Sequence, residues 1–276
     1  MFQPIIAGSG IGGWNFLQAT YDRQLATFSN SPQIRNDQEY LVEKLSQPIS
    51  KQDFLDDQRL LRVAMTAFDL GGEEWKRGFI DKVLTEVADP ESSFLARLNN
   101  QAYTRFAEVF TPRNDQIVVS GAAIAEIVSN FETASFEAAV GEVDNTMRLA
   151  LNFRDSIGEV VGQGSREDAI LFRILGDVPV RSVLESALNL PGELRQLPLE
   201  RQTEIFKEKL SSVFGINDVS ELSAPETAER VIQRYLALSS INQAASSTSS
   251  ASNALTLLSS GFGAAASQNL FLSLIR

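Results

Sequence analysis

The feature that most constrains this chain is an apolar stripe of helical period that stops and then recurs. Within Asp56–Glu73, apolar residues stand at 60, 61, 64, 65 and 68. That spacing puts them on one face of a helix of 3.6 residues per turn. Gly71-Gly72 follow, and their backbone freedom predicts the helix stop. A diverged copy lies 120 positions further on, over Val180–Glu193. There Leu60 aligns with Val180, Val63 with Val183, Ala67 with Ala187 and Leu70 with Leu190. Each stripe needs an apolar surface to cover it, so the pattern predicts an all-α fold. The expected architecture is a multi-helix domain of two weakly related helical lobes sharing one core, with amphipathic terminal helices.

Reading the chain in order, a helix is expected from Trp14 to Phe28, with Trp14, Leu17, Tyr21, Leu25 and Phe28 three and four apart. Ser29-Asn30-Ser31-Pro32 ends it. Further helices are expected over about 37–45, 52–70, 73–87, 90–98 and 102–110. Trp75 falls on the apolar face of the third of these. Residues 116–160 contain no proline and suit one long helix or two stacked ones, with a short strand at Ile117-Val118-Val119. The second unit reads as helices over 169–175, 178–190, 198–214 and 226–238. Asp89-Pro90-Glu91 and Ala224-Pro225-Glu226 are matching helix starts. Gly158, Gly162 and Gly164 predict a flexible joint. The division that follows is residues 1–160, residues 161–238, and a tail of 239–276 whose Ser/Ala-rich stretch Ser239–Ser252 resembles a linker.

Composition narrows the chemistry. The 276 residues carry a net charge of −11, which argues against a nucleic-acid partner. There are no cysteines and no histidines, which removes disulfides, thiolate nucleophiles, Zn–thiolate sites and the commonest general base. Carboxylate, Lys, Tyr or Ser–Lys chemistry, or an oxygen-ligated Mg or Ca site, is what the inventory still permits. The N-terminus lacks a basic region and a long apolar run, and no run approaches the length of a membrane span. Synthesis in the cytoplasm is the expectation, with export by a route that needs no cleaved signal left open.

The motifs with chemical potential read as structural. Gly8-Ser9-Gly10-Ile11-Gly12-Gly13 matches the dinucleotide-binding pattern, but it lacks a clear strand before it and an acid at the end of a second strand. No nicotinamide, flavin or other cofactor is expected. Asp53, Asp56 and Asp57 suit the first turn of a helix, where negative charge meets the positive end of the dipole. Glu137, Glu142 and Asp144 lack the spacing of a calcium loop and read as a solvated helix face. No catalytic or metal-ligating set is assigned. Residues 1–21 and 236–275 are free of charged side chains yet rich in large apolar ones. Trp14, Leu17, Tyr21, Leu255, Leu258, Leu270 and Phe271 are therefore the candidate partner-binding residues; left in water, each would forgo about 1.5–3 kcal/mol of burial.

Gly10-Ile11-Gly12-Gly13-Trp14-Asn15-Phe16-Leu17, Phe54-Leu55-Asp56-Asp57-Gln58-Arg59-Leu60-Leu61-Arg62-Val63-Ala64, Phe79-Ile80-Asp81-Lys82-Val83-Leu84 and Ile174-Leu175-Gly176-Asp177-Val178-Pro179-Val180-Arg181 resemble the uncharacterised bacterial family known as domain of unknown function 1217. The resemblance covers most of residues 10–238; Asp69 departs from it, since the family tends to have Gly there. Members occur in alphaproteobacteria, and their genes are often associated with flagellar ones. The family has no established catalytic residues, so the resemblance implies a context rather than a chemistry. By analogy alone, exported axial proteins of the flagellum also pack through apolar, charge-poor termini and usually lack Cys. Three expectations follow: a non-enzymatic, flagellum-associated structural or assembly protein acting through protein–protein contacts, with self-association open; a cytoplasmic helical adaptor or export chaperone; and a carboxylate- or Lys-based enzyme.

Overall fold

The structure is a computed structural model that describes residues 3–87, 94–98, 100–162 and 166–261, with backbone only at residue 96 and at 244–261. It is all-α. The N-terminal half comprises α1 (Gly10–Ser29), α2 (Pro32–Leu45), α3 (Lys51–Asp56), α4 (Gln58–Thr66), α5 (Arg77–Glu86), α6 (Phe94–Leu98) and α7 (Gln101–Val109). Two longer helices follow, α8 (Gly121–Val143) and α9 (Asn145–Gly162), then α10 (Glu167–Gly176), α11 (Val178–Ala187), α12 (Leu199–Phe214) and α13 (Pro225–Gly261). Short 3-10 turns lie at Gly192–Gln196 and Val219–Ser223. Among the described residues the one sheet is a two-residue ladder, β1 (Ile49–Ser50) against β2 (Gln116–Ile117), antiparallel with Ile49 opposite Ile117. It ties the start of α3 to the loop before α8.

The helix expected over 52–70 is two helices. Asp57 breaks it, with ψ at 92° between α3 and α4, and its carboxylate accepts the Leu60 N–H at 2.9 Å. The stop also differs from expectation. Asp69, ahead of Gly71-Gly72, already takes the left-handed conformation at φ 60°, and Leu70 N–H closes on the Met65 carbonyl at 2.9 Å; Gly72 follows with a positive φ of 85° in the next turn. This is the C-terminal motif glycine usually supplies; Asp and Asn are the residues best able to stand in for it. The copy repeats both devices. Asp177 separates α10 from α11 and accepts from Val180 N–H at 3.0 Å, while Asn189 sits at φ 52° and Leu190 N–H reaches the Glu185 carbonyl at 2.8 Å.

Other boundaries move for local reasons. Pro32 opens α2 at its first turn rather than only ending α1, because a first-turn residue needs no N–H partner. The helix expected from Glu73 starts at Arg77, and Trp75 lies in the preceding turn, 77% exposed, with Lys76 over its ring. Asp144 splits 116–160 into α8 and α9. Of the glycines of the expected joint, Gly158 lies inside α9 and Gly162 is its last residue, while Gly164 lies outside the described residues. The linker-like stretch 239–252 is helical in α13: it contains neither Gly nor Pro, and alanine favours the helix. Asp89-Pro90-Glu91 lies outside the described residues.

Helices α8 and α9 pack on each other and distribute the rest. Against α8 lie α1, α2 and α4; against α9 lie α10, α11, α13 and the Val219–Ser223 turn. One continuous cluster of buried apolar residues runs from Trp14 to Leu236. An aromatic group made by Phe54, Phe68, Phe106 and Phe110 fills the junction of α3, the end of α4 and α7; Phe54 stacks on Phe110 at 4.8 Å between centroids. Among the described residues no helix is long and apolar enough to cross a membrane.

The two capping aspartates differ electrically. Burial opposes ionisation of Asp57, but the Leu60 N–H, the Tyr40 hydroxyl at 2.6 Å and Lys44 outweigh it and hold its pKa below the ordinary value. At Asp177 burial wins over the Val180 N–H and Arg105, and Glu159 adds to it, so its pKa is raised. Asp57→Ala is therefore expected to destabilise by about 1–2 kcal/mol near neutral pH, and Asp177→Ala by less than half of that, since removing its carboxylate also removes a burial cost. The depressed Asp57 pKa makes its contribution present above the unfolded pKa and lost as pH falls through the folded one. Urea unfolding of both variants at neutral and acidic pH checks the order and the sign.

Candidate functional site

The expected partner-binding residues fall in three places. Trp14 and Leu17 are interior, with no exposed surface. The Trp14 indole N–H donates to the Glu229 carboxylate at 3.0 Å, clasping α1 to α13. Both residues therefore belong to this chain's own core and are not free for a partner, which corrects the expectation. Tyr21 is half-buried, edge-on to Phe136 at 5.3 Å, with the Arg154 guanidinium over its ring. Leu255 and Leu258 lie on α13 beyond the described side chains, and Leu270 and Phe271 lie outside the described residues.

The glycine run serves the entry to α1. A Cβ on Gly13 would stand 2.5 Å from the Gly8 carbonyl oxygen and 3.0 Å from Met147 Cε, so only glycine fits. Residues before α1 are pinned instead by Gln24, which accepts from Ile5 N–H at 2.7 Å and donates to the Ile5 carbonyl at 3.0 Å.

Elsewhere the structure builds a polar cleft that apolar periodicity does not reveal. Most of α9 is buried through Met147, Ala150, Leu151, Phe153, Ile157, Val160 and Val161. Its remaining stripe, Asn152, Asp155, Ser156 and Glu159, has i, i+3, i+4, i+7 spacing. Two adjoining cavities of about 290 and 400 Å³ share Asn152, Ser156 and Glu159 from this stripe, together with Asp69 and Arg105. The smaller is completed by Glu73, Arg173 and Asp177, the larger by Glu137 and Asp155. Arg105 pairs with Glu159 at 2.5 Å and more loosely with Asp69 at 3.7 Å. Several buried polar atoms here have no hydrogen-bond partner: Arg105 Nε, Asn152 Oδ1, Glu137 Oε1, and Nε and Nη2 of Arg173.

Among the described residues three carboxylates are buried, and the contrast among them picks out one. Asp37 is held by Arg59 and Arg62 at 2.8 and 2.7 Å, and Glu185 by Arg181 and Arg195, both at 2.6 Å. Glu137, 7% exposed, faces another acid. Burial first, then the charge and hydrogen bond of Asp155 and the charge of Asp69, push its pKa from an ordinary 4.5 up to about 9, against the pull of Arg154. Glu137 thus keeps its proton at neutral pH. It does not belong to a solvated helix face; the charged groups that act on it, Asp155 and Arg154 from α9 and Asp69 from the end of α4, come from other elements. Asp69 is raised as well, by burial foremost, then by Asp177, Glu159 and Asp155 against Arg105. Chemically the cleft can hold a proton and accept a cation. Among the described residues no group of three His, Cys, Asp or Glu is placed to hold a metal ion.

The raised pKa fixes a pH dependence. The contribution of Glu137 is fully present below about 4.5 and is lost as pH rises through about 9. Glu137→Gln, which cannot ionise, should gain on the native chain by up to about 1.4 kcal/mol per pH unit between mildly acidic and alkaline pH. Parallel urea titrations of the two proteins across that range measure it; equal slopes against pH would rule out the buried proton.

A crystal structure of protein AGR_C_984 from Agrobacterium tumefaciens has a similar fold, with TM-score 0.66 and 21% identity over 86% of this chain and 97% of that one. At that identity the likeness is one of fold. No curated protein matches. The family described as "Protein of unknown function (DUF1217)" matches residues 67–228, from the stop of α4 to the first turn of α13, and the chain belongs to that family.

Proposed function

We propose that this chain is a non-enzymatic, flagellum-associated structural or assembly protein that works through protein–protein contacts of its C-terminal helix. The observation that carries the reading is the reach of α13. A Cβ on Gly10, the first residue of α1, would lie 3.5 Å from Ser240 Cβ, while Trp14 meets Glu229, so the two helices run antiparallel. Past Ser240, α13 continues to Gly261, about 30 Å of helix beyond the start of α1 at ~1.5 Å per residue. That extension carries no charged residue, and Ile241 at its root is 61% exposed. A Ser/Ala-rich helix needs packing to be stable in water, and Leu255, Leu257 and Leu258 in its sequence call for apolar cover. A helix from another protein, or from a second copy, supplies both. The flagellar setting rests on the gene context of the family, and in this reading the protein works at the flagellum after export by a signal-independent route.

A cytoplasmic adaptor or export chaperone would use the same helix without leaving the cell. Fractionation of cells and medium with the flagellar export gate intact or deleted separates the two: export-gate-dependent release supports the assembly reading, and retention in both strains supports the adaptor. A carboxylate-based enzyme is the reading favoured by the Glu137–Asp155 pair, since a protonated acid beside a second carboxyl is the raw material of acid–base catalysis. Complementation of a chromosomal deletion decides between contact and catalysis. We expect the chain lacking residues 244–276 to keep its helical circular dichroism and melting temperature but fail to complement and to self-associate or capture its partner. Glu137→Gln should complement fully; the reverse pattern would mean that the protein acts as an enzyme.

A further inference from the structure

We propose that α13 pairs, antiparallel, with the α13 of a second copy of this chain, along a seam beyond Ser240. This rests on the reading of α13 as the contact helix and names its partner. Ile241, Ala244, Thr248, Ala251, Leu255 and Leu258 follow one another in alternating steps of three and four, the repeat of a two-helix coil. Towards the body the same row passes through Ala237 and Arg234. There α11 covers it: Arg234 Nε donates at 2.7 Å to the carbonyl of Ala187, the last residue of α11. Helix α13 runs on past that point, and Ile241, the next member of the row, is 61% exposed. The described chain before α1 does not follow the extension, because Gln24 holds Ile5 back along α1, about four turns from Gly10.

The row fits a copy of itself. It is symmetric in size about a midpoint between residues 249 and 250. Run antiparallel, Ile241 falls opposite the partner's Leu258, Ala244 opposite the partner's Leu255, and Thr248 opposite the partner's Ala251. The bulky pairs thus stand at the two ends and the smallest at the middle, where crossing helices approach most closely. The flanking positions of the repeat are Ala245, Ser252 and Ser259 on one side and Ser247, Ala254 and Gly261 on the other. In coils that choose a different partner such positions carry the selecting charges, and here they carry none. Charge also sets the direction. The net charge of −11 lies wholly outside residues 236–275. Antiparallel pairing about that midpoint holds the two Ser240 positions about 28 Å apart at ~1.5 Å per residue, several Debye lengths of ~8 Å, whereas parallel pairing would set two like-charged bodies side by side.

Sedimentation equilibrium on the full chain over about 1–200 µM tests this, with a monomer–dimer equilibrium expected. Ala251→Glu, which puts a charge into the tightest part of the seam, should weaken dimerisation by about tenfold or more, while Asn253→Glu, on the outer face of the repeat, should leave it within about twofold. Both variants should melt with the native chain, since they lie beyond the body. Because the chain has no cysteine, single replacements report direction. A mixture of Ile241→Cys and Leu258→Cys chains should oxidise to a mixed disulfide dimer, and neither chain alone should cross-link. A native chain that stays monomeric throughout overturns the proposal; if the chain lacking residues 244–276 still fails to complement, the contact-helix reading stands with a different partner. A native dimer together with full complementation by the shortened chain supports the pairing and removes that reading instead. Equal effects of the two Glu variants, or disulfide dimers from Leu258→Cys chains alone, would overturn the proposal too.

Discussion

Helix α9 has to be buried on nearly every side and still carry polar residues, and the rest of the structure answers that demand. Its apolar positions are covered by α8 on one side and by α10, α11 and α13 on the other. The stripe from Asn152 to Glu159 cannot be desolvated without partners, since an unpaired buried polar group costs about 1–3 kcal/mol. The chain leaves space along it rather than packing it closed. Arg105 from α7, Arg173 from α10 and Glu137 from α8 all converge on that space. The cleft is therefore the remainder of a packing problem, bounded by elements from both halves of the chain.

The two related segments show how one backbone design is reused with different electrostatics. Each has an aspartate that ends one helix and caps the next, and each stops in a left-handed Asp or Asn followed by leucine. In the first segment the capping carboxylate is surrounded by donors that outweigh its burial and hold it charged; in the second burial foremost, with Glu159 adding to it, resists ionisation. At the stops the relation inverts: Asp69 brings charge to the cleft, whereas Asn189 brings none. The duplication supplies geometry, and the single substitutions between copies decide which copy contributes to a site.

Much of this was legible in the sequence because helices announce themselves through one-dimensional periodicity. The Trp14 stripe, the Pro225 start and the all-α class follow from spacing alone. The break at Asp57 does not, since a capping carboxylate between two helices leaves the stripe at 60, 61, 64, 65 and 68 undisturbed. Glu137 reads as solvated because acids usually are; its burial against the charges of Asp155, Asp69 and Arg154 is a tertiary arrangement that local spacing does not show. The α9 stripe has a helical period of its own, and it goes unseen when only apolar positions are tallied. Trp75 errs the other way: it fits the apolar face in register, but the helix begins two residues after it.

The antiparallel clasp of α1 and α13 has a mechanical consequence. Because Gly10 lies beside Ser240, chain leaving either helix at those points leaves from the same end of the body. Tension applied between the two ends would pull the helices apart like a zipper, breaking the Gly10–Ser240 contact before the Trp14–Glu229 bond, one row at a time. Tension carried along α13 alone would load the whole row of contacts around Val231, Ile232, Tyr235 and Leu236 in shear. A body of this design bears load through one terminus far better than across both, so a strained assembly would grip it by the long helix and leave the other end slack.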